Sequence, residues 1–331
     1  MKARMSHLVI AIVLAAANLV PAASAATPAD PPADDGAKPI GPPAPRDTYR
    51  WQVQIYQPDA GQLIGETSVW FARHHCGGSL VAPGWVLTAA HCIPNPQTFQ
   101  TKYKVRIGLY ALSDDQPWMQ YDVDGPPIYM ADKWKGFDGD YAYDVALIHL
   151  KHRVPLSPGE TRFAAIPVAS GLDPYRPLVV TGWGRNTQTA HNQGRSSDPK
   201  FAGFLSAGDM SMELRQATLD KRPPTDCQGN NGFSTMPGSH LCAMGKPFTT
   251  PDGKVVAQDS CRGDSGGPLV QNLGSGYGWR QVGVVSYGPP GLCGAAGSYT
   301  DVTRPEIREW ICATAHAYGC PAQSPRRRHS R

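Results

Sequence analysis

From Trp51 onward the chain is a succession of short β-forming runs, each broken within a few residues by Gly, Pro or Asn. Examples are Trp51 to Tyr56, Ser79 to Val81, Tyr103 to Ile107, Val145 to Leu150, Leu178 to Thr181, Pro268 to Gln271 and Gln281 to Tyr287. Many short strands with turn signals between them exclude a helical bundle or a βαβ array and predict an all-β barrel or sandwich. One helix stands out at the end. Thr303 is a candidate cap, with Glu306 three residues on and Pro305 in the first turn. Ile307, Trp310 and Ile311 form its apolar face, expected to pack on the second half of the domain, and Gly319 is its expected stop.

The first 25 residues read as a cleaved export signal. Lys2 and Arg4 precede an uncharged run from Leu8 to Val20, and Ala23-Ser24-Ala25 fits a small-residue cleavage site. Residues 26–49 hold Pro31-Pro32, Pro39, Pro42-Pro43 and Pro45 and read as a pro-segment or linker. Residues 50–320 form the expected folded domain. Arg185 to Gly208 is a polar, glycine-containing insertion, and residues 321–331, with Arg326-Arg327-Arg328-His329 and Arg331, form a basic tail expected to be disordered. A formal net charge of +4 over 331 residues gives no argument for a nucleic-acid partner. No segment after the signal is long and apolar enough for a membrane helix. The expected location is extracellular or periplasmic, where the eight cysteines can persist as disulfides. Spacing alone leaves roughly a hundred pairings open.

The chemistry concentrates in Gly263-Asp264-Ser265-Gly266-Gly267-Pro268, a serine on a glycine-rich turn. A serine hydroxyl is a weak nucleophile at neutral pH and needs a base held by a third group. His91, in Thr88-Ala89-Ala90-His91-Cys92, and Asp144, in Asp144-Val145-Ala146-Leu147, supply the residue types. Either motif alone is weak: a serine in a glycine turn is usually a turn, and a His-Cys pair is as often core. Their order His, Asp, Ser, together with Thr181-Gly182-Trp183-Gly184 and cysteines beside both histidine and serine, resembles the trypsin-like (chymotrypsin-fold) serine peptidases.

The resemblance implies two packed six-stranded antiparallel β-barrels with a C-terminal α-helix and the site in the cleft between them. It implies a Ser-His-Asp triad of His91, Asp144 and Ser265, and an oxyanion hole from the N–H groups of Gly263 and Ser265. Ser286 matches the serine that supports the buried aspartate. Asp259 matches the floor of the specificity pocket, with Gly288 and Gly297 at its walls, implying cleavage after Arg or Lys. Arg262, at a rim position often held by glutamine, is expected to favour acidic neighbours in the substrate; Tyr287 replaces a common tryptophan. The family pairs Cys76 with Cys92, Cys227 with Cys242, and Cys261 with Cys293, leaving a local Cys312–Cys320 bond as the simplest use of the remainder. Cofactor and metal are expected to be none, because no acidic cluster at calcium-loop spacing stands out. His74-His75 is expected to be an exposed loop pair. The implied partners are a protein or peptide substrate and protein inhibitors, with a monomer as the default.

One departure matters. Active members start at Ile-Val-Gly-Gly, and the freed ammonium pairs with the aspartate before the nucleophile, here Asp264. This chain offers Lys38-Pro39-Ile40-Gly41 instead. Three outcomes remain open: cleavage after Pro39, pairing of Asp264 by an internal cation, or a catalytically silent homologue that acts as a binding protein.

Overall fold

A computed structural model describes residues 41–60, 69–185, 210–249, 255–274, 276–289 and 293–321. The expected export signal, the start of the Pro-rich stretch, nearly all of the Arg185 to Gly208 insertion and most of the basic tail lie outside these residues. The first half is a seven-stranded antiparallel sheet of β1 (Gln52–Tyr56), β2 (His74–Ala82), β3 (Trp85–Thr88), β4 (Lys104–Ile107), β5 (Gln120–Asp122), β6 (Ile128–Tyr129) and β7 (Ala146–His149). Its strand order is β5-β4-β1-β2-β3-β7-β6, curled into a half-barrel whose far edge is tied back where Val123, just after β5, bridges Leu150, just after β7. The second half contains β8 (Leu178–Gly182), β9 (Arg215–Arg222), β10 (His240–Gly245), a small hairpin of β11 (Pro247–Thr249) and β12 (Val255–Ala257), β13 (Pro268–Asn272), β14 (Trp279–Tyr287) and β15 (Gly297–Asp301). Six of these close a barrel in the order β10-β15-β14-β13-β8-β9. The all-β double-barrel architecture expected from the sequence is the one observed. Two short helices, α1 (Val69–Arg73) and α2 (Pro96–Lys102), sit in first-half loops. Asn95 caps α2 by accepting from the N–H groups of Gln97 and Thr98.

Strand alternation explains how polar residues come to lie between the halves. Val53 and Ile55 point into the first core, so Gln52 and Gln54 point the other way, and both amides are fully buried. Each is satisfied. Gln52 accepts from Thr181 Oγ1 at 2.7 Å across the seam, and Gln54 accepts from the buried Arg106 at 2.8 Å. Ser79 donates to Gln281 at 2.7 Å, and Gly77 N–H to the Ser265 carbonyl at 2.8 Å, so β2 is tied to the second barrel at two further points. The Pro-rich stretch is fixed from Gly41 onward: Ala44 N–H donates to Leu214 O, Gln216 N–H to Pro42 O, and Arg215 to Gly41 O.

The last helix, α3 (Pro305–Ala315), departs from its expected details. Its N-cap is Arg304 with no side-chain cap; Thr303 is held by Asp301, and Glu306 pairs with Arg304. The helix stops at His316 in the left-handed region, before Gly319. Ile307 and Ile311, both fully buried, belong to a core cluster that reaches across both halves, with Leu80 and Val81 from the first and Val270, Val284 and Val302 from the second. Main-chain bonds from Tyr318 N–H to Val81 O and from Val168 N–H to Tyr318 O hold the chain there.

Ile311→Ala removes a fully buried side chain from this junction. It is expected to lower unfolding free energy by about 2–4 kcal/mol, read by urea denaturation in a Ser265→Ala background. A change within about 0.5 kcal/mol, the range of a neutral surface substitution, would show that α3 is not packed there.

Candidate active site

His91 lies in a short 3₁₀ turn, Ala90–Cys92, just after β3, and Asp144 immediately precedes β7. Strands β3 and β7 are paired, with Thr88 opposite Ala146, which brings the two residues together although 53 positions separate them. Asp144 Oδ1 accepts from the His91 backbone N–H at 2.8 Å, and Oδ2 accepts from His91 Nδ1–H at 2.7 Å. The carboxylate is completely buried while the imidazole is about one-fifth exposed. A turn with Asp140, Tyr141 and Tyr143 all at φ between 52° and 57° aims Asp144 inward. Left-handed backbone is uncommon for tyrosine and marks a tightly determined loop.

The second barrel completes the carboxylate's coordination. Ser286 sits in a β-bulge of β14, where Val285 pairs with Tyr299 and Tyr287 with Ser298, leaving Ser286 without a cross-strand partner. The bulge turns its hydroxyl to Asp144 Oδ2 at 2.5 Å, and Thr300 Oγ1 donates to the Asp144 main-chain oxygen at 2.7 Å. Burial alone would raise the pKa of Asp144, but the His91 charge and these hydrogen bonds hold it below the ordinary carboxylate value. Burial pushes His91 down, and Asp144 outweighs it, holding the ring above the usual imidazole value.

Ser265 stands on a turn between Cys261 and β13. Gly263 (φ 102°) and Gly266 (φ 79°) adopt conformations that side chains avoid. A Cβ at Gly266 would strike Thr88 Oγ1 and Gly77 O, which presses the serine turn onto the loop carrying His91. Among the described residues Ser265 Oγ forms no hydrogen bond, and the N–H groups of Gly263 and Ser265 are not used by any main-chain acceptor. The first fits the looser geometry of empty sites, and the second leaves two donors available. His74, far from being an exposed loop residue, starts β2 and donates Nε2–H to Gly263 O at 2.8 Å, while Nδ1 accepts from Gln54. Burial drives its pKa down to about 4, so it acts as a neutral donor that fixes the Gly263 peptide. His75 donates to Cys92 O at 2.9 Å and packs on Tyr103. Their neighbours in sequence gave no sign of these partners, which lie across strand and barrel boundaries.

Asp259 is 1% exposed and accepts from the Tyr299 hydroxyl at 3.2 Å. No cation faces it among the described residues. Burial lifts its pKa well above the ordinary value, opposed by hydrogen bonds from the Ser260 main chain and Tyr299. A Cβ at Gly297 would lie 2.8 Å from Asp259 Oδ1, so glycine there keeps the approach to the carboxylate open. Gly288 meets nothing within 4 Å. Asp264 is also buried, accepting from Gly184 and Cys261 N–H groups at 2.8 Å each, and burial lifts its pKa to about 7. A Cβ at Gly182 or Gly184 would collide with its carboxylate.

An aromatic wall runs outward from His91 and was not read from the sequence. Tyr141 stacks on the imidazole (5.5 Å between centroids, 10° between planes), and Phe137, Phe233 and Tyr287 gather around Tyr141. Four disulfides brace the loops: Cys76–Cys92, Cys227–Cys242, Cys261–Cys293 and Cys312–Cys320. Among the described residues, the grouping of Cys76, Cys92 and His91 has metal-ligand types, but both sulfurs are consumed in a disulfide.

The trypsin family model matches residues 40–311. The chain is 30% identical to chymotrypsin-C of Bos taurus over 267 residues, covering 80% of this chain and 83% of that protein. It is 28% identical to chymotrypsin-like elastase family member 3A of Homo sapiens, over 72% of this chain and 74% of the relative. It is also 28% identical to CLIP domain-containing serine protease B4 of Anopheles gambiae, over 82% and 68%. Motif order, double-barrel topology and these matches lead to one assignment: the chain belongs to the trypsin family of serine proteases.

Proposed function

We infer that this protein is a secreted serine endopeptidase that cleaves after Arg or Lys. The observation that carries this reading is the 2.7 Å contact from His91 Nδ1 to a fully buried Asp144, beside a serine turn and a buried, uncompensated Asp259. In the proposed cycle Ser265 Oγ attacks the substrate carbonyl carbon and His91 Nε2 takes its proton. The oxygen of the tetrahedral intermediate, now negative, is bound by the Gly263 and Ser265 N–H groups. Its collapse breaks the C–N bond, and His91 delivers the proton to the leaving amine. Water, activated by the same imidazole, then hydrolyses the acyl-enzyme. Asp144 holds the ring in the Nδ1–H tautomer throughout and stabilises the imidazolium. A substrate guanidinium or ammonium would supply the counter-charge that Asp259 lacks. The disulfides support an oxidising destination.

Asp264 is proposed as an activation switch. Two N–H donors only partly offset its burial, which leaves its pKa at about 7, and among the described residues no cation faces it. Gly41 is pinned by Arg215 and lies against Gln258, and a terminus freed at Ile40, one residue before it, is the proposed cation.

A fluorophosphonate probe should label the processed protein and fail on Ser265→Ala; absence of labelling after processing would favour a silent homologue. Activity should fall as pH drops through the raised pKa of His91, because only the neutral ring accepts a proton. Asp144→Asn should reduce kcat by about 10⁴-fold, the effect of this change in the family's template enzyme.

Asp259→Ser should lower kcat/KM on Arg peptides by about 10²–10³-fold, the equivalent of losing one partner of a buried ion pair. Equal turnover of Phe and Arg substrates by the unaltered protein would sink the specificity assignment.

N-terminal sequencing of the active form should begin at Ile40, and Asp264→Asn should abolish most activity without altering the unprocessed fold. An active form whose first residue is elsewhere, with Asp264→Asn fully active, would overturn the switch.

A further inference from the structure

Behind Asp144, on the side away from His91, lies a second histidine that the catalytic cycle does not use. His240 opens β10, is 6% exposed, and pairs across the sheet with Thr300 of β15. Its Nε2 lies 3.2 Å from Ser286 Oγ and 3.3 Å from Thr300 Oγ1. Its Nδ1 lies 3.1 Å from Ser239 Oγ.

Counting protons fixes the direction of every bond in this group. A hydroxyl has one proton to give. Ser286 spends its proton on the Asp144 carboxylate and Thr300 spends its own on the Asp144 carbonyl, both of which only accept. Facing two hydroxyls that have already donated, His240 Nε2 must carry the proton and share it between them. On the other side Ser239 Oγ accepts from Tyr143 N–H at 3.0 Å, leaving its proton for His240 Nδ1. Every donor and acceptor is used once the ring is neutral and protonated at Nε2.

We propose that His240 is a positioning residue of the active site, a fixed Nε2–H donor that locks the Ser286 and Thr300 hydroxyls onto Asp144 and so holds the carboxylate square to His91. An accepting Nε2 would compete with Asp144 for the hydroxyl protons, whereas a donating Nε2–H fills a lone pair of each hydroxyl and leaves both protons aimed at Asp144. Burial decides for the neutral ring; of the charged and titratable neighbours, Asp144 favours the charged form and His91 the neutral one. Asp144 and His91 face it through Ser286, the Tyr287 ring packs 5.4 Å away, and burial takes its pKa down to about 4. A protonated ring would place a proton at Nδ1, and the Ser239 hydroxyl would have to turn its own proton away and lose that bond.

The proposal rests on the peptidase reading above, and its test separates the two. Nitrogen-15 histidine spectra of the Ser265→Ala protein need no activity. They should show His240 as the neutral Nε2–H tautomer throughout pH 5–8. An Nδ1–H tautomer, or titration within that range, overturns the proposal and leaves the peptidase reading untouched. In the active protein, His240→Leu should lower kcat by about fivefold to tenfold, the worth of roughly one hydrogen bond, with KM within about twofold. The acid limb should move to lower pH, because a misaligned Asp144 stabilises the His91 imidazolium less. His240→Gln carries an amide donor at the position of Nε2 and should restore most of kcat and the limb. Rates are counted per fluorophosphonate-titrated site, so partial misfolding does not enter. If both variants lose thermal stability but keep wild-type kcat and acid limb, His240 is structural only and the proposal fails. If the unaltered protein turns over no peptide at all, it is the peptidase reading that fails, whatever the spectra show.

Discussion

The hydrogen-bonded burial of Asp144 is the constraint on which the site depends. A carboxylate with no exposure is tolerated only when its lone pairs are met. Here one half of the molecule gives two donors through His91, and the other gives Ser286 to the carboxylate and Thr300 to the main-chain oxygen. Neither half can satisfy the charge alone, so the docking of the two barrels and the ionisation of Asp144 are one event. The contacts from Gln52 to Thr181 and from Ser79 to Gln281 extend the same logic along the seam. Polar side chains in matched pairs specify one relative placement of the barrels, where a greasy interface would allow sliding.

Three buried aspartates show how partners, not burial, set the state of a group. Asp144 meets an imidazole and a hydroxyl, and its pKa falls. Asp264 meets two N–H groups, and its pKa climbs to about 7. Asp259 meets a phenol and the main-chain N–H groups of Ser260 and Gly294, and its pKa climbs well above the ordinary value because burial outweighs them. The first is ionised without help, whereas the other two sites are incomplete anion sites that favour an arriving cation. That ordering matches the proposed division of labour among a permanent orienter, a switch and a substrate anchor.

Much of this was legible in the sequence, for identifiable reasons. The all-β architecture followed from short runs between turn residues, because strand alternation and chain breaking are local. His91, Asp144 and Ser265 stood inside short motifs whose order carries information. Strands such as β9 and β10 do not stand out as runs, since Arg215 to Arg222 is polar at one end and His240 to Gly245 opens with a histidine and ends with a glycine. The roles of His74 and His240 were invisible because each depends on a partner between 46 and 189 positions away. That α3 packs into a cluster reaching across both halves was not legible for a related reason. Periodicity identifies which face of a helix is apolar but says nothing about which surface receives it.

Asp264 shows how narrow the margin at such a site can be. Gly182 and Gly184 leave no room for side chains, so the main chain closes on the carboxylate from one side. Two hydrogen bonds from N–H groups to a charged oxygen are worth about 1.5–3 kcal/mol each, less than the several kcal/mol of desolvation that full burial imposes on an ion. The balance therefore sits near neutrality. A carboxyl whose folded pKa exceeds its unfolded value of 3.8 contributes stability that is complete below that value and is lost as pH rises through about 7. A nearby ammonium would reverse the sign by drawing the folded pKa below 3.8, so that the ionised form stabilises the loop at neutral pH. The same residue then favours the loop around Ser265 in opposite pH ranges before and after the cation arrives, which is the thermodynamic content of the proposed switch.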